Sequence, residues 1–185
     1  ASNSKGVYTF CMCPGGYVIP SSCQKDQLVV NGMSYASRSG ENANSALLVQ
    51  INDSDYGNEL FAGLKYQEDL EKKAFKMGHD YKACVQLAKD YLENKISNQF
   101  ESVLPTYSIG TTFCDLNDLF SKEVNLALHE ALEHFEKKVP GFVSGGAILS
   151  GVESRSSSSV RLVRDKESYV SNIQGIYPSG EGSGY

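Results

Sequence analysis

Three groups of side chains in this sequence could carry chemistry. Cys11 and Cys13 stand one residue apart, with Cys23 close behind. Thiols spaced this way serve redox exchange beside a cofactor or bind soft metals. A structural zinc site needs four ligands, and neither Cys84 nor Cys114 has a partner at a paired spacing, so no metal is expected. The alternative is that Cys11 and Cys13 are small apolar residues packed in strands. The second group is Ser154-Arg155-Ser156-Ser157-Ser158-Ser159, followed by Arg161 and Arg164. Hydroxyls, backbone amides and guanidinium forks suit phosphate or carboxylate groups, although a serine run can also be a flexible connection between strands. The third is Gly180-Glu181-Gly182-Ser183-Gly184, after Ile176-Tyr177-Pro178. Alternating glycines after an apolar run let backbone approach a nucleotide closely. An acid among them can accept hydrogen bonds from sugar-type hydroxyls. Such a turn normally leads into a helix whose amides complete the anion site, and none follows here. The chain therefore reads as a piece of something larger, with its main chemistry partly outside it.

The elements that must hold these groups alternate in period. Val7–Phe10, Tyr17–Ile19, Leu28–Val30 and Leu47–Ile51 are β-prone runs. The first two flank a Pro-Gly-Gly segment and are expected to pair antiparallel. Residues 34–45 read as loop. Helical spacing predicts one helix over 66–77, closed by Gly78, and a second over 83–94. A third starts at Ser121 as N-cap, carries Val124, Leu128, Leu132 and Phe135 on one face, and stops at Pro140-Gly141. His129 and His134 lie off that face and, lacking a metal-binding pairing, read as solvated surface. Glu130, Glu133 and Glu136 read as a charged face. Strand period returns in Ala147–Leu149, Val160–Val163 and the 168–173 segment. The prediction is an α+β fold, its mostly antiparallel sheet formed by N- and C-terminal strands, with about three helices inserted between them. Residues 1–6 read as a disordered start.

The bulk numbers set the outer limits. The chain has 185 residues, 41% of them hydrophobic and 21% charged, enough for one domain with a sizeable core. A net charge of -5 and a pI of about 5.2 argue against a nucleic-acid or anionic-membrane partner. Apolar runs are too short to span a bilayer. Five cysteines make an odd count that fits a reducing cytoplasm better than a disulfide-stapled domain.

Several longer motifs together resemble one family. They are Thr9-Phe10-Cys11-Met12-Cys13-Pro14-Gly15-Gly16, Asn31-Gly32-Met33-Ser34-Tyr35, Gly40-Glu41-Asn42-Ala43-Asn44-Ser45-Ala46-Leu47, Pro140-Gly141-Phe142, Gly151-Val152-Glu153-Ser154-Arg155 and Tyr177-Pro178-Ser179-Gly180-Glu181-Gly182. The chain resembles bacterial FAD-dependent oxidoreductases, also described as NAD(FAD)-utilizing dehydrogenases. The resemblance implies that residues 1–170 form a central, substrate-side or cap domain, and that 171–185 begin the return to an FAD-binding Rossmann domain absent from this sequence. It implies FAD as cofactor of the intact parent, none bound to this piece, and Gly180, Glu181, Gly182 and Gly184 as its contacts, Glu181 at the ribityl hydroxyls. Cys11, Cys13, Arg155 and the Asn42–Asn44 loop would face the flavin or the substrate cavity. The partner would be the missing FAD domain, with self-association through the surface that domain covers. The alternative function is a self-standing module that holds an anionic ligand through its serine and arginine loop.

Overall fold

The computed structural model describes residues 5–184; residues 1–4 of the expected disordered start, and Tyr185, lie outside them. Two three-stranded sheets organise the chain. The first is built from β1 (Val7–Pro20), β2 (Val30–Ser34) and β3 (Asn42–Val49), with β1 in the middle and antiparallel to both neighbours. The second has β4 (Ala83–Leu87) at its centre, parallel to β5 (Thr111–Phe113) and antiparallel to β6 (Ile148–Gly151). Between them run α1 (Asp53–Tyr56), α2 (Ala62–Gly78), α3 (Ala88–Leu92) and α4 (Lys122–Lys138). The class is α+β with mostly antiparallel pairing. The sheets join where the Val30 N–H donates to the Val152 carbonyl at 2.9 Å, which ties the N-terminal strands to the C-terminal ones.

Several local expectations change. Val7–Phe10 and Tyr17–Ile19 do not pair with each other; they are one strand, irregular in register between Phe10 and Cys13 and again between Cys13 and Gly16. Positive φ at Cys11 (47°) and Gly15 (57°) takes up the extra residues. The Pro-Gly-Gly segment is thus a bulge in a long strand and not a turn. A third of the supposed 34–45 loop, residues 42–45, belongs to β3. The predicted 83–94 helix divides into β4 and α3. All five β4 residues are buried, so the strand shows no alternation that sequence could reveal. Gln86 at its centre is fully buried and satisfied: its Nε2 donates to Lys95 O (2.7 Å) and its Oε1 accepts from Leu116 N–H (2.8 Å). Residues 160–163 form no strand; the segment beyond contributes a single bridge, Arg164 to Ser171.

The long helix α4 forms as its pattern predicts. Ser121 Oγ accepts from Val124 N–H, and Val124, Ala127, Leu128 and Leu132 are buried. Each buried valine or leucine side chain here adds about 1.5–3 kcal/mol. Glu136 is not merely part of a charged face. Its carboxylate receives the Ser144 hydroxyl (2.6 Å) and the Val143 (2.6 Å) and Gly141 (3.1 Å) amides, which folds the chain back after the helix. These bonds, the Ser144 hydroxyl first, lower its pKa from 4.5 to about 2. A depressed folded-state pKa gives stability that is complete above the unfolded value and lost as pH falls. Glu136→Gln is therefore expected to flatten the stability curve between pH 4.5 and about 2, read as urea midpoints against pH. An unchanged slope would show that the carboxylate is not held this way.

Candidate functional site

A cavity of about 880 Å³ opens between the first sheet, α2, α4 and the 141–159 segment. It lies inside the range of roughly 300–1,000 Å³ usual for small-molecule sites. Val18, Leu47, Val49, Leu70, Leu128 and Phe142 give it apolar walls, and the sequence's β and helical periods put them there. Polar groups interrupt those walls. Asn42 Nδ2 donates to Leu104 O at 2.7 Å, and Thr106 Oγ receives Val18 N–H at 2.8 Å. Gln67 Nε2 donates to Ser154 O (2.9 Å) and Ser157 O (3.2 Å), which fixes the serine segment along the rim.

Two lining residues stand apart from this bonded set. Asn44 lies over Gly32 and Gly16, where a β-carbon at Gly32 would come within 2.0 Å of its Oδ1. Its buried Oδ1 and Nδ2 have no hydrogen-bond partner among the described residues. Glu153 is half-buried, and burial raises its pKa above the usual carboxylate value. Among the described residues its carboxylate has neither hydrogen bond nor ion pair. Burial likewise raises the phenol of Tyr66, whose ring stands 6.3 Å from that of Tyr56 beside the same space.

The residues that sequence singled out are dispersed. Arg155 is committed elsewhere: its Nε and Nη2 donate to the fully buried Glu71 carboxylate at 2.8 and 2.9 Å. Ser154 Oγ joins them at 2.6 Å, and Arg155 Nη1 reaches Cys23 Sγ at 3.1 Å. This ion pair holds the 154–159 segment to α2, so the guanidinium expected to seek an anionic ligand has an internal one. Glu71 was not picked out, although an acid one turn from Ala74 on the apolar stripe of a helix was the available signal. Cys11 is exposed on the irregular part of β1, and the Cys13 thiol donates to Cys11 O at 3.2 Å. Cys84 on β4 and Cys114, just past the end of β5, are far apart in sequence and meet in space. The contact with Cys114, and burial, push the Cys84 thiol up; it donates to Ala74 O at 3.2 Å. His129 is not solvated surface. Its ring packs edge-on against Tyr91 (4.5 Å), its Nε2 donates to Asn117 Oδ1 (3.0 Å), and burial lowers its pKa. Among the described residues, no three His, Cys, Asp or Glu side chains gather as a metal site, and no helix is long and apolar enough to cross a membrane.

The terminal glycine turn is ordered. Glu181–Ser183 form a 3₁₀ turn flanked by Gly180 (φ 84°) and Gly184 (φ 83°). Glu181 Oε1 accepts Ser158 N–H (2.9 Å), Leu162 N–H donates to Gly182 O (2.6 Å), and Arg164 Nη2 donates to Gly184 O (3.1 Å). The segment is thus stitched to the 158–164 loop. A β-carbon at Gly180 would meet nothing within 4 Å, so another molecule can approach its backbone closely. The Ser183 and Gly184 amides are spent inside the turn, on Gly180 O and Glu181 O. An exposed carboxylate beside an open glycine suits a ligand that bears hydroxyls.

A protein of Clostridium beijerinckii (strain ATCC 51743 / NCIMB 8052), described as an uncharacterized protein, is 42% identical over 183 residues. That alignment covers 98% of this chain and 34% of the relative, so the chain spans about a third of that protein's length. Residues 1–156 match the family described as FAD-dependent protein, C-terminal domain-like. The match takes in both sheets, α1 to α4 and most of the cavity wall, and the chain belongs to that family.

Proposed function

We propose that this chain is the substrate-side domain of an FAD-dependent oxidoreductase and supplies one wall of the flavin site in a longer parent. The family match over residues 1–156 carries the reading. The cavity gives it a place for substrate, and the Gly180–Gly184 turn gives it an edge at which the flavin end of FAD could lie, with Glu181 toward the ribityl hydroxyls. The cofactor supplies hydride or electron transfer when bound; these residues orient and enclose. Cys11 and Cys13 are candidates to face the flavin. Use of a nicotinamide partner, as in NAD(FAD)-utilizing dehydrogenases, belongs to the same proposal.

In this reading the domain is inactive alone, because a dinucleotide site needs a strand, a glycine turn and a following helix in one unit. The piece that covers it is the FAD domain of the parent, the central placement being part of the proposal. Exposed Phe10, Met12, Tyr35, Leu162, Val163 and Tyr177 offer apolar surface for that contact, or for self-association where it is missing. Five free cysteines fit a parent in a reducing bacterial cytoplasm. The anionic-ligand alternative is weaker, since Arg155 already pairs with Glu71.

The test compares two chains. This one, mixed with FAD, is expected to remain colourless after gel filtration. A longer chain that includes the flanking sequence of the parent is expected to copurify with flavin. A stoichiometric yellow complex of the short chain would overturn the dependence on the parent. A correctly folded longer chain that never takes up FAD would overturn the flavoprotein reading itself.

A further inference from the structure

The charges around the 880 Å³ cavity are one-sided. Among the described residues that line it there is no lysine, arginine or histidine, while Glu41 and Glu153 both do so. A phosphate or carboxylate ligand would enter a space with no counter-charge and two acids at its wall. The Glu153 carboxylate is half-buried and unpartnered among the described residues, a condition that costs free energy until a cation or donor reaches it. Tyr56 and Tyr66 both line the same cavity with their rings 6.3 Å apart, and aromatic rings attract ammonium groups. The remaining wall, including Leu47, Val49, Leu128 and Phe142, takes apolar bulk.

We infer that the cavity binds a largely apolar small molecule bearing a cationic amine, with Glu153 as the counter-charge of the ammonium. The cavity then selects against anionic ligands, the opposite of what the arginines near the serine run suggested. The inference rests on the reading of this cavity as the substrate side of the domain. It does not need the flavin, so the two can fail separately.

The experiment is a calorimetric titration of the full chain with three probes of one size: 2-phenylethylamine, 2-phenylethanol and phenylacetate. The amine is expected to bind saturably and about tenfold or more tighter than the alcohol, the worth of one charge-assisted hydrogen bond. Phenylacetate is expected to be the weakest. Glu153→Gln is expected to remove the preference of amine over alcohol while leaving the alcohol unchanged. Phenylacetate binding as well as the amine, no saturable binding by any probe, or a Glu153→Gln protein that keeps the preference would each overturn the assignment. The ranking in the unaltered protein needs no variant, so the test survives a substitution that fails to fold. Amine binding in a chain whose longer parent takes up no FAD would leave this inference standing and remove the flavin one.

Discussion

Arg155→Ala is expected to lower the stability of the domain by about 2–4 kcal/mol, read as a shift in urea midpoint. Breaking a fully buried ion pair costs about 3–5 kcal/mol because the remaining charge is stranded. The lower range applies here because the arginine side chain is 34% exposed, whereas that of Glu71 is 0% exposed. Removing the guanidinium takes two donors from the Glu71 carboxylate, and the Ser154 hydroxyl at 2.6 Å cannot replace a charge. The double variant Glu71→Met with Arg155→Met is expected to be more stable than Arg155→Ala, since it leaves no buried charge. An Arg155→Ala protein within about 0.5 kcal/mol of the original, the usual reach of a neutral surface change, would show that the pair is not holding the segment. Loss of a ligand effect in that variant would say little about ligand contact, because the rim of the cavity moves with it.

Gly15→Ala is expected to be comparably damaging, for reasons of space. Gly15 has φ 57°, and a β-carbon there would sit 2.0 Å from the Arg38 carbonyl oxygen and 2.3 Å from its carbon. Those are backbone atoms that cannot rotate away. The Gly40 N–H donates to Gly15 O at 3.1 Å, and a β-carbon on Gly40 would itself lie 2.6 Å from that oxygen. Left-handed backbone costs a non-glycine residue about 1–2 kcal/mol and overpacking about 1–3 more, so the expected loss is about 2–5 kcal/mol. Gly175→Ala is the control. Its φ is 84° and a β-carbon meets nothing within 4 Å, so only the conformational cost remains. Equal losses at the two positions, measured by thermal unfolding with calorimetry, would rule out the close crossing as the cause.

These two sites show what the sequence could and could not disclose. The helix from Ser121 was legible because its cap, its apolar stripe and its Pro-Gly end are all local signals. The α+β class followed from the change of period along the chain. β4 was not legible, since a strand buried on both faces carries no alternation, and its five residues fit a helical stripe equally well. The bulge in β1 was hidden because Pro14-Gly15-Gly16 is equally good chemistry for a turn; the pairing with β3 on both sides of it decides which it is. At the site, Glu153 stood in view within the Gly151–Arg155 motif. Its importance comes from what surrounds it in space, a cavity whose lining includes no cation among the described residues, and such an arrangement leaves no trace in linear order. Arg155 misled for the matching reason: its partner lies on a helix far away in the chain.

The segment that ends in Gly184 has a further consequence. Leu162, Val163, Tyr169, Ile173, Ile176 and Tyr177 are all exposed, so the segment buries little oil. It is held to the domain by polar bonds such as that from the Ser158 amide to Glu181, and within itself by others such as that from Arg164 to Pro178 O. A stretch anchored so is a cooperative unit of its own, with an opening free energy set by a few hydrogen bonds and not by the core. Through Glu181 and the Ser158 amide it holds to the serine run beside the cavity on a stability scale separate from that of the fold beneath it.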